Sequence, residues 1–192
     1  GKPHLNKSLI VVPMDAVGVD RKTKLDKLGM RSSDTAMIFF DNVRVPQRNL
    51  IGQEGMGFMY QMMQFQEERL YGAASSIDGF NNLIDETIDY TRQRQAFGGS
   101  ILDNQAVHFR IAELRTEVES LRALVYDTTA RYISGKEKME DIAMLASMCK
   151  LKVGRVGREL TDSLLQYWGG QGFMWENYVS QMYRDLRLHA IG

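Results

Sequence analysis

The stretch Val107-His108-Phe109-Arg110-Ile111-Ala112-Glu113-Leu114-Arg115-Thr116-Glu117-Val118-Glu119-Ser120-Leu121 decides the fold class of this chain. Its apolar residues continue through Val125, Thr128 and Tyr132 at alternating steps of four and three, which places them along one side of an α-helix. The opposite side carries Arg110, Glu113, Arg115, Glu117 and Arg122. Asp103 is the expected N-cap, because a short acceptor side chain satisfies a free N–H in the first helical turn. A long amphipathic helix follows.

The same period extends in both directions. Downstream, Ile142, Leu145, Cys149, Val153, Val156, Leu160, Leu164 and Tyr167 predict a helix from about Glu140 to Trp168, stopped by Gly169-Gly170. A further one spans about Trp175 to His189. Upstream, Phe58, Met62, Phe65, Ile77, Phe80, Ile84 and Ile88 predict one long helix from about Met56 to Arg94. Four helices with short connections pack most simply as an antiparallel up-and-down four-helix bundle. Before them, residues 8 to 12 and 35 to 45 read as strands, the second with a turn at Asp41-Asn42. So few strands cannot bury both faces of a sheet. The expected fold is therefore mostly α: a helical bundle over 51–192, preceded by a fragment of a β domain over 1–50. The opening Gly1-Lys2-Pro3-His4, running straight into Ser8-Leu9-Ile10-Val11-Val12, reads as a chain entered partway through a sheet.

Composition narrows the function. Lys plus Arg equals Asp plus Glu at 24 each over 192 residues, so no net field steers a nucleic acid or an anionic membrane toward the chain. The single cysteine, Cys149, has no partner for an internal disulfide, and no apolar run has membrane-spanning length. A reducing, soluble compartment without membrane insertion is expected, and the glycosylation-like Asn6-Lys7-Ser8 is discounted. His4, His108 and His189 are too scattered to predict a metal site, and His108 reads as a partly exposed structural residue. Neither a Gly-x-Ser-x-Gly elbow nor a P-loop occurs. The methionines, 12 in all, suit a core of adaptable shape.

Three segments carry candidate chemistry. In Gln66-Glu67-Glu68-Arg69-Leu70-Tyr71-Gly72-Ala73-Ala74-Ser75-Ser76, a carboxylate pair precedes residues with almost no side chain. Gly72 and Ser75 fall on nearly the same helical face as Glu68, leaving room beside its carboxylate. Either a ligand uses that room or a second helix crosses there. In Arg92-Gln93-Arg94-Gln95-Ala96-Phe97-Gly98, arginine suits a phosphate and phenylalanine a flat ring, or the cations simply complement a helix C-terminus. In Gln166-Tyr167-Trp168-Gly169-Gly170-Gln171-Gly172, bare backbone could approach a ligand, or the glycines only cap a helix whose Trp is in the core.

These segments occur in order with Leu28-Gly29-Met30-Arg31-Ser32-Ser33-Asp34-Thr35, Phe40-Asp41-Asn42-Val43-Arg44-Val45-Pro46, Gln105-Ala106 and Tyr183-Arg184-Asp185. The ordered set resembles the C-terminal half of an acyl-CoA dehydrogenase, the FAD-containing family that desaturates acyl-CoA thioesters, and the resemblance covers essentially the whole chain. It implies that Arg94, Phe97 and Gln105 contact the pyrophosphate and adenosine part of a neighbouring subunit's FAD. Gln166, Gly169 and Gly170 would line its adenine end. It also implies a carboxylate base near the thioester α-carbon. Most members carry that base on a loop after the last bundle helix; isovaleryl-type and long-chain-type members carry it in a Glu-Arg dipeptide on the first bundle helix. Glu68-Arg69 matches the second arrangement, with Glu67 as the fallback and Arg69 near the CoA side. The family further implies a homo-oligomer, dimer or tetramer, with electron transfer flavoprotein as electron acceptor. Its location would be the mitochondrial matrix in a eukaryote or the cytoplasm in a bacterium. The competing expectations are a non-catalytic oligomerisation module derived from such an enzyme, and an acyl-CoA oxidase; a nitroalkane-oxidising relative would be expected to use aspartate as its base, which Glu68 disfavours.

Overall fold

The computed structural model describes residue 2 and residues 5–192, so Gly1, Pro3 and His4 of the opening segment lie outside the described residues. The chain divides into two compact units, 1–65 and 66–192. In the first, β1 (Leu9–Ile10), β2 (Val19–Lys24), β3 (Ala36–Phe40) and β4 (Leu50–Ile51) make two small antiparallel pairs, β1 with β4 and β2 with β3. The strand expected over 8–12 shrinks to two residues, ahead of Pro13, which has no N–H to donate to a ladder. The strand expected over 35–45 ends at Phe40, because Asn42 turns the chain at φ 48°. The mostly charged segment Val19-Asp20-Arg21-Lys22-Thr23-Lys24 had no alternating pattern to reveal it as a strand; pairing with β3 makes it one, with a bulge between Arg21 and Thr23. All five residues of β3 are exposed, including Phe39 and Phe40.

Five helices follow: α1 (Gly57–Ala74), α2 (Ile77–Gln93), α3 (Gln105–Ser134), α4 (Met139–Trp168) and α5 (Tyr178–Asp185). The single helix expected over 56–94 is interrupted at Ser75-Ser76. The hydroxyl of Ser76 donates to the Gly72 carbonyl at 2.8 Å and that of Ser75 lies 3.4 Å from it, so side chains compete with the backbone ladder beside a flexible glycine. α3 is capped by Asn104, whose Oδ1 accepts from the Ala106 N–H at 2.9 Å, rather than by Asp103. Asp103 instead closes a capping box with Ser100 one turn earlier. The helix expected over 175–189 is shorter, giving way after Asp185 to a 3-10 turn over Leu186–Ala190.

The apolar stripes of α2, α3 and α4 form the core, whereas Phe58, Met62 and Phe65 of α1 are only half-buried and Tyr132, at the end of the expected α3 stripe, is exposed. Phe80, Leu83 and Ile84 of α2, Leu114, Val118 and Leu121 of α3, and Cys149, Val153, Leu160 and Leu164 of α4 are fully buried together with Val179 of α5. Each large side chain contributes about 1.5–3 kcal/mol on burial. At Gly157 a Cβ would lie 3.3 Å from the Phe80 ring, so the glycine lets α2 and α4 approach closely. The buried hydroxyls of Thr87, Thr128 and Thr161 donate to carbonyls one turn back, which satisfies them without a break in the core.

Candidate functional site

The segment from Arg92 to Ser100 does not end as a simple helix cap. It forms a β-hairpin, β5 (Gln95–Ala96) with β6 (Gly99–Ser100), whose two-residue turn is Phe97-Gly98. Both turn residues have positive φ, 56° at Phe97 and 88° at Gly98, as the tight hairpin turn demands. For glycine this conformation is free, whereas for phenylalanine it costs on the order of 1–2 kcal/mol. The Phe97 ring is fully exposed at the tip. The two arginines have separate fates. Arg92 pairs with Asp89 at 2.9 Å on its own helix, whereas Arg94, the C-cap of α2, has no ion-pair partner among the described residues.

α4 ends beside this hairpin. Gly169 adopts φ 57°, ψ −135°, which lacks a low-energy equivalent for residues with a Cβ, and the chain leaves as a 3-10 turn over Gly169–Phe173. Between hairpin and turn lies a cavity of about 1030 Å³. Arg94, Phe97, Gln166, Gly169 and Gly170 all line it, so segments some seventy residues apart meet at one place. Gln105 is exposed in the first turn of α3 and outside that lining, although its neighbour Asn104 belongs to it. Tyr90, Ser100, Tyr167 and Trp168 line it as well, as does Asp103, the one carboxylate of the wall; spacing puts Tyr90 one turn before Arg94, the one signal in the sequence that could have included it.

The glycines here separate into two kinds. A Cβ on Gly172 would sit 2.5 Å from the Leu165 carbonyl oxygen, so the fold itself requires that glycine. A Cβ on Gly170 would meet no atom within 4 Å, and its φ needs no glycine either. Its missing side chain serves nothing within this chain and leaves open cavity beside bare backbone.

The acidic helix face lies on α1. Glu67 and Glu68 are both exposed, but Glu67 accepts a hydrogen bond at 2.5 Å from the hydroxyl of Tyr132 on α3. The adjacent carboxylate holds the Tyr132 phenol above its ordinary range. Glu68 has no ion-pair partner among the described residues. A Cβ on Gly72 would meet nothing within 4 Å, so among the described residues no second helix crosses at this glycine. Arg69 donates to Gln66 at 3.1 Å and to Ser147 of α4 at 3.3 Å. It borders a cleft of about 380 Å³ that Lys150, Arg155, Arg158 and His189 also line, with no carboxylate among the lining residues.

Residues 55–192 match the model of the acyl-CoA dehydrogenase C-terminal domain. The chain belongs to the acyl-CoA dehydrogenase family. Among curated relatives, it is 35% identical over 184 residues to the mitochondrial long-chain specific acyl-CoA dehydrogenase of Rattus norvegicus, covering 96% of this chain and 42% of that protein. It is 32% identical to subunit CarC of the caffeyl-CoA reductase-Etf complex of Acetobacterium woodii, covering 96% of this chain and 48% of that subunit. Among solved structures, the acyl-CoA dehydrogenase of Geobacillus kaustophilus superposes with a TM-score of 0.93 at 36% identity, over 99% of this chain and 49% of that one. The chain thus spans about half the length of the relatives it matches. The mostly helical architecture with a small sheet part is that of the C-terminal region of this family.

Proposed function

We propose that this chain supplies the C-terminal half of an FAD-dependent enzyme that desaturates an acyl-CoA thioester between its α and β carbons. The division near residue 50, into the end of a β domain and a helical bundle, belongs to that reading. The apolar, uncovered faces of β3 fit a sheet whose remaining strands lie elsewhere in the protein. The single observation that carries the reading is the meeting of Arg94, Phe97, Gln166, Gly169 and Gly170 at one cavity.

The residues of that cavity fit the adenosine end of FAD. Arg94 offers an uncommitted guanidinium to a pyrophosphate, Gly169 and Gly170 offer backbone without side chains, and Phe97 offers an exposed ring to a flat partner. The bound flavin supplies the acceptor for the β-hydride. On the substrate side, Glu68 takes the α-proton on its carboxylate, and the open space over Gly72 admits the reacting carbons beside it. Arg69 stands in a cleft rich in cations, which suits the anionic phosphates of CoA.

Self-association as a dimer or tetramer accompanies this reading, because an exposed Phe97 and an open cavity of about 1030 Å³ call for complementary surfaces on a second subunit. Electron transfer flavoprotein is the proposed acceptor, supported by the similarity to a subunit of an Etf complex. Among the described residues, no helix is long and apolar enough to cross a membrane.

The test is Arg94→Ala in the complete protein. Loss of a charge-assisted contact to phosphate should weaken FAD retention by about 1.5–3 kcal/mol, read from the ratio of flavin to protein absorbance after dialysis. Unchanged flavin content would remove Arg94 from the site.

A further inference from the structure

The exit of α4 is held by two residues to which the family reading assigns no role. The rings of Tyr90 and Trp168 stack with centroids 4.1 Å apart and planes 5° from parallel. The Tyr90 hydroxyl donates to the backbone carbonyl of Trp168 at 3.2 Å. The indole Nε1–H of Trp168 donates in turn to Oγ1 of Thr87 at 3.0 Å, and Thr87 donates onward to the Leu83 carbonyl at 2.8 Å. Thr87 is fully buried. A chain of hydrogen bonds therefore runs from the core of α2 through an indole, while a phenol one turn further along α2 grips the carbonyl just before Gly169.

That carbonyl sits where control of the backbone is needed. Gly169 and Gly170 have no Cβ to pack against neighbours, and nothing within 4 Å would restrain one. A diglycine has wide conformational freedom, so a turn that must keep a fixed shape needs its ends pinned from outside. Gly172, whose backbone packs against the Leu165 carbonyl, pins the far end; the Tyr90–Trp168 pair pins the near end. Both rings also line the cavity.

We infer that Tyr90 and Trp168 are positioning residues for the adenosine end of the cofactor: they hold the Gly169-Gly170 backbone in an open, bound-ready form, so that binding does not have to order it. This rests on the reading of the cavity as an FAD site. Loss of the clamp should weaken binding of the adenosine end without unfolding the bundle, because Trp168 is only partly buried against a core whose Phe80, Leu160 and Leu164 are fully buried.

The test uses the complete protein stripped of flavin and re-titrated with FAD, with ADP and FMN as separate competitors. Tyr90→Phe keeps the stacked ring and removes only the donor to the Trp168 carbonyl; Trp168→Phe keeps an aromatic ring and removes the donor to Thr87. Each should raise the dissociation constants of FAD and of ADP about fivefold, the effect of one lost hydrogen bond. Affinity for FMN, which lacks the adenosine, should stay as in the parent, while the flavin-free protein stays folded with a modestly lowered melting midpoint, as the loss of an internal hydrogen bond requires. If the parent binds ADP and both variants match it, or if affinity for FMN falls as far as affinity for ADP, the positioning role is overturned while the site stands. Failure of the parent itself to bind ADP overturns the reading of the cavity and this inference together.

Discussion

The hydroxyl of Tyr132 on α3 donates to the carboxylate of Glu67 on α1, at 2.5 Å, and so commits one member of the Glu67-Glu68 pair to holding two helices together. Adjacent residues of a helix point about 100° apart, so Glu68 projects in another direction from the same turn. The pair is thus differentiated by the structure into a tied carboxylate and one with no ion-pair partner among the described residues. In the complete enzyme, Glu68→Gln should retain flavin and acyl-CoA binding yet slow flavin bleaching by substrate at least about 100-fold, the usual contribution of a positioned base. Glu67→Gln should slow it far less. Stopped-flow absorbance of the two variants decides the matter, and equal rates in Glu68→Gln and the parent would place the base elsewhere.

Gly170 and Gly172 provide a contrast within a single turn. Gly172→Ala forces a Cβ to within 2.5 Å of a backbone oxygen and should destabilise the fold by about 1–3 kcal/mol, visible as a lowered denaturation midpoint. Gly170→Ala meets no atom of the chain and should leave that midpoint unchanged, while its methyl group intrudes on the cavity and weakens FAD binding. Equal flavin affinity in Gly170→Ala and the parent would show that no ligand comes close to this backbone.

At Gly72 the expected signs are opposite for stability and function. The residue is helical, does not have positive φ, and has free space around it, so Gly72→Ala should stabilise the flavin-free protein by roughly 0.5–1 kcal/mol through reduced freedom of the unfolded chain. If the space beside Glu68 is used by substrate, the same variant raises KM for acyl-CoA. Denaturant titration and steady-state kinetics read the two effects separately, and a stabilised variant with unaltered KM would count against substrate contact there.

His189 should give the bundle a dependence on acid. Burial, reinforced by the Lys150 ammonium, lowers its pKa below the ordinary 6.5, and its Nδ1 lies 3.4 Å from the Ser76 hydroxyl. The folded chain favours the neutral ring, so as pH falls through 6.5 the unfolded chain takes up the proton first. The contribution to stability is complete above that value and is lost below it. Melting midpoints at about pH 7.5 and about pH 5.5 should therefore differ less in His189→Gln than in the parent. An identical difference in both proteins would assign the acid sensitivity to other groups.

Helix identity and most of the buried stripes were legible in the sequence because both follow from spacing within a few turns: Val107, Ile111, Leu114, Val118, Leu121, Val125 and Thr128 are all buried, as the alternating steps of four and three require, and only Tyr132 at the end of that series is exposed. The stop at Gly169 was legible for the same local reason, and the motif order carried the family. Other features depend on residues distant in sequence, or on competition between local alternatives, and only the tertiary structure decided them. The helix break at Ser75-Ser76 arises where hydroxyls win the Gly72 carbonyl from the backbone, a contest that apolar periodicity does not register. Phe97 gives no sequence sign of a left-handed turn, since its residue type disfavours one; pairing of β5 with β6 imposes it. The cavity forms where α2 and α4, packed closely at Phe80 and Gly157, bring their C-terminal ends together, so that Tyr90 and Arg94 on one and Gln166 to Gly170 at the other share one space. The close packing of the core thereby converts two locally encoded helix ends into one binding geometry.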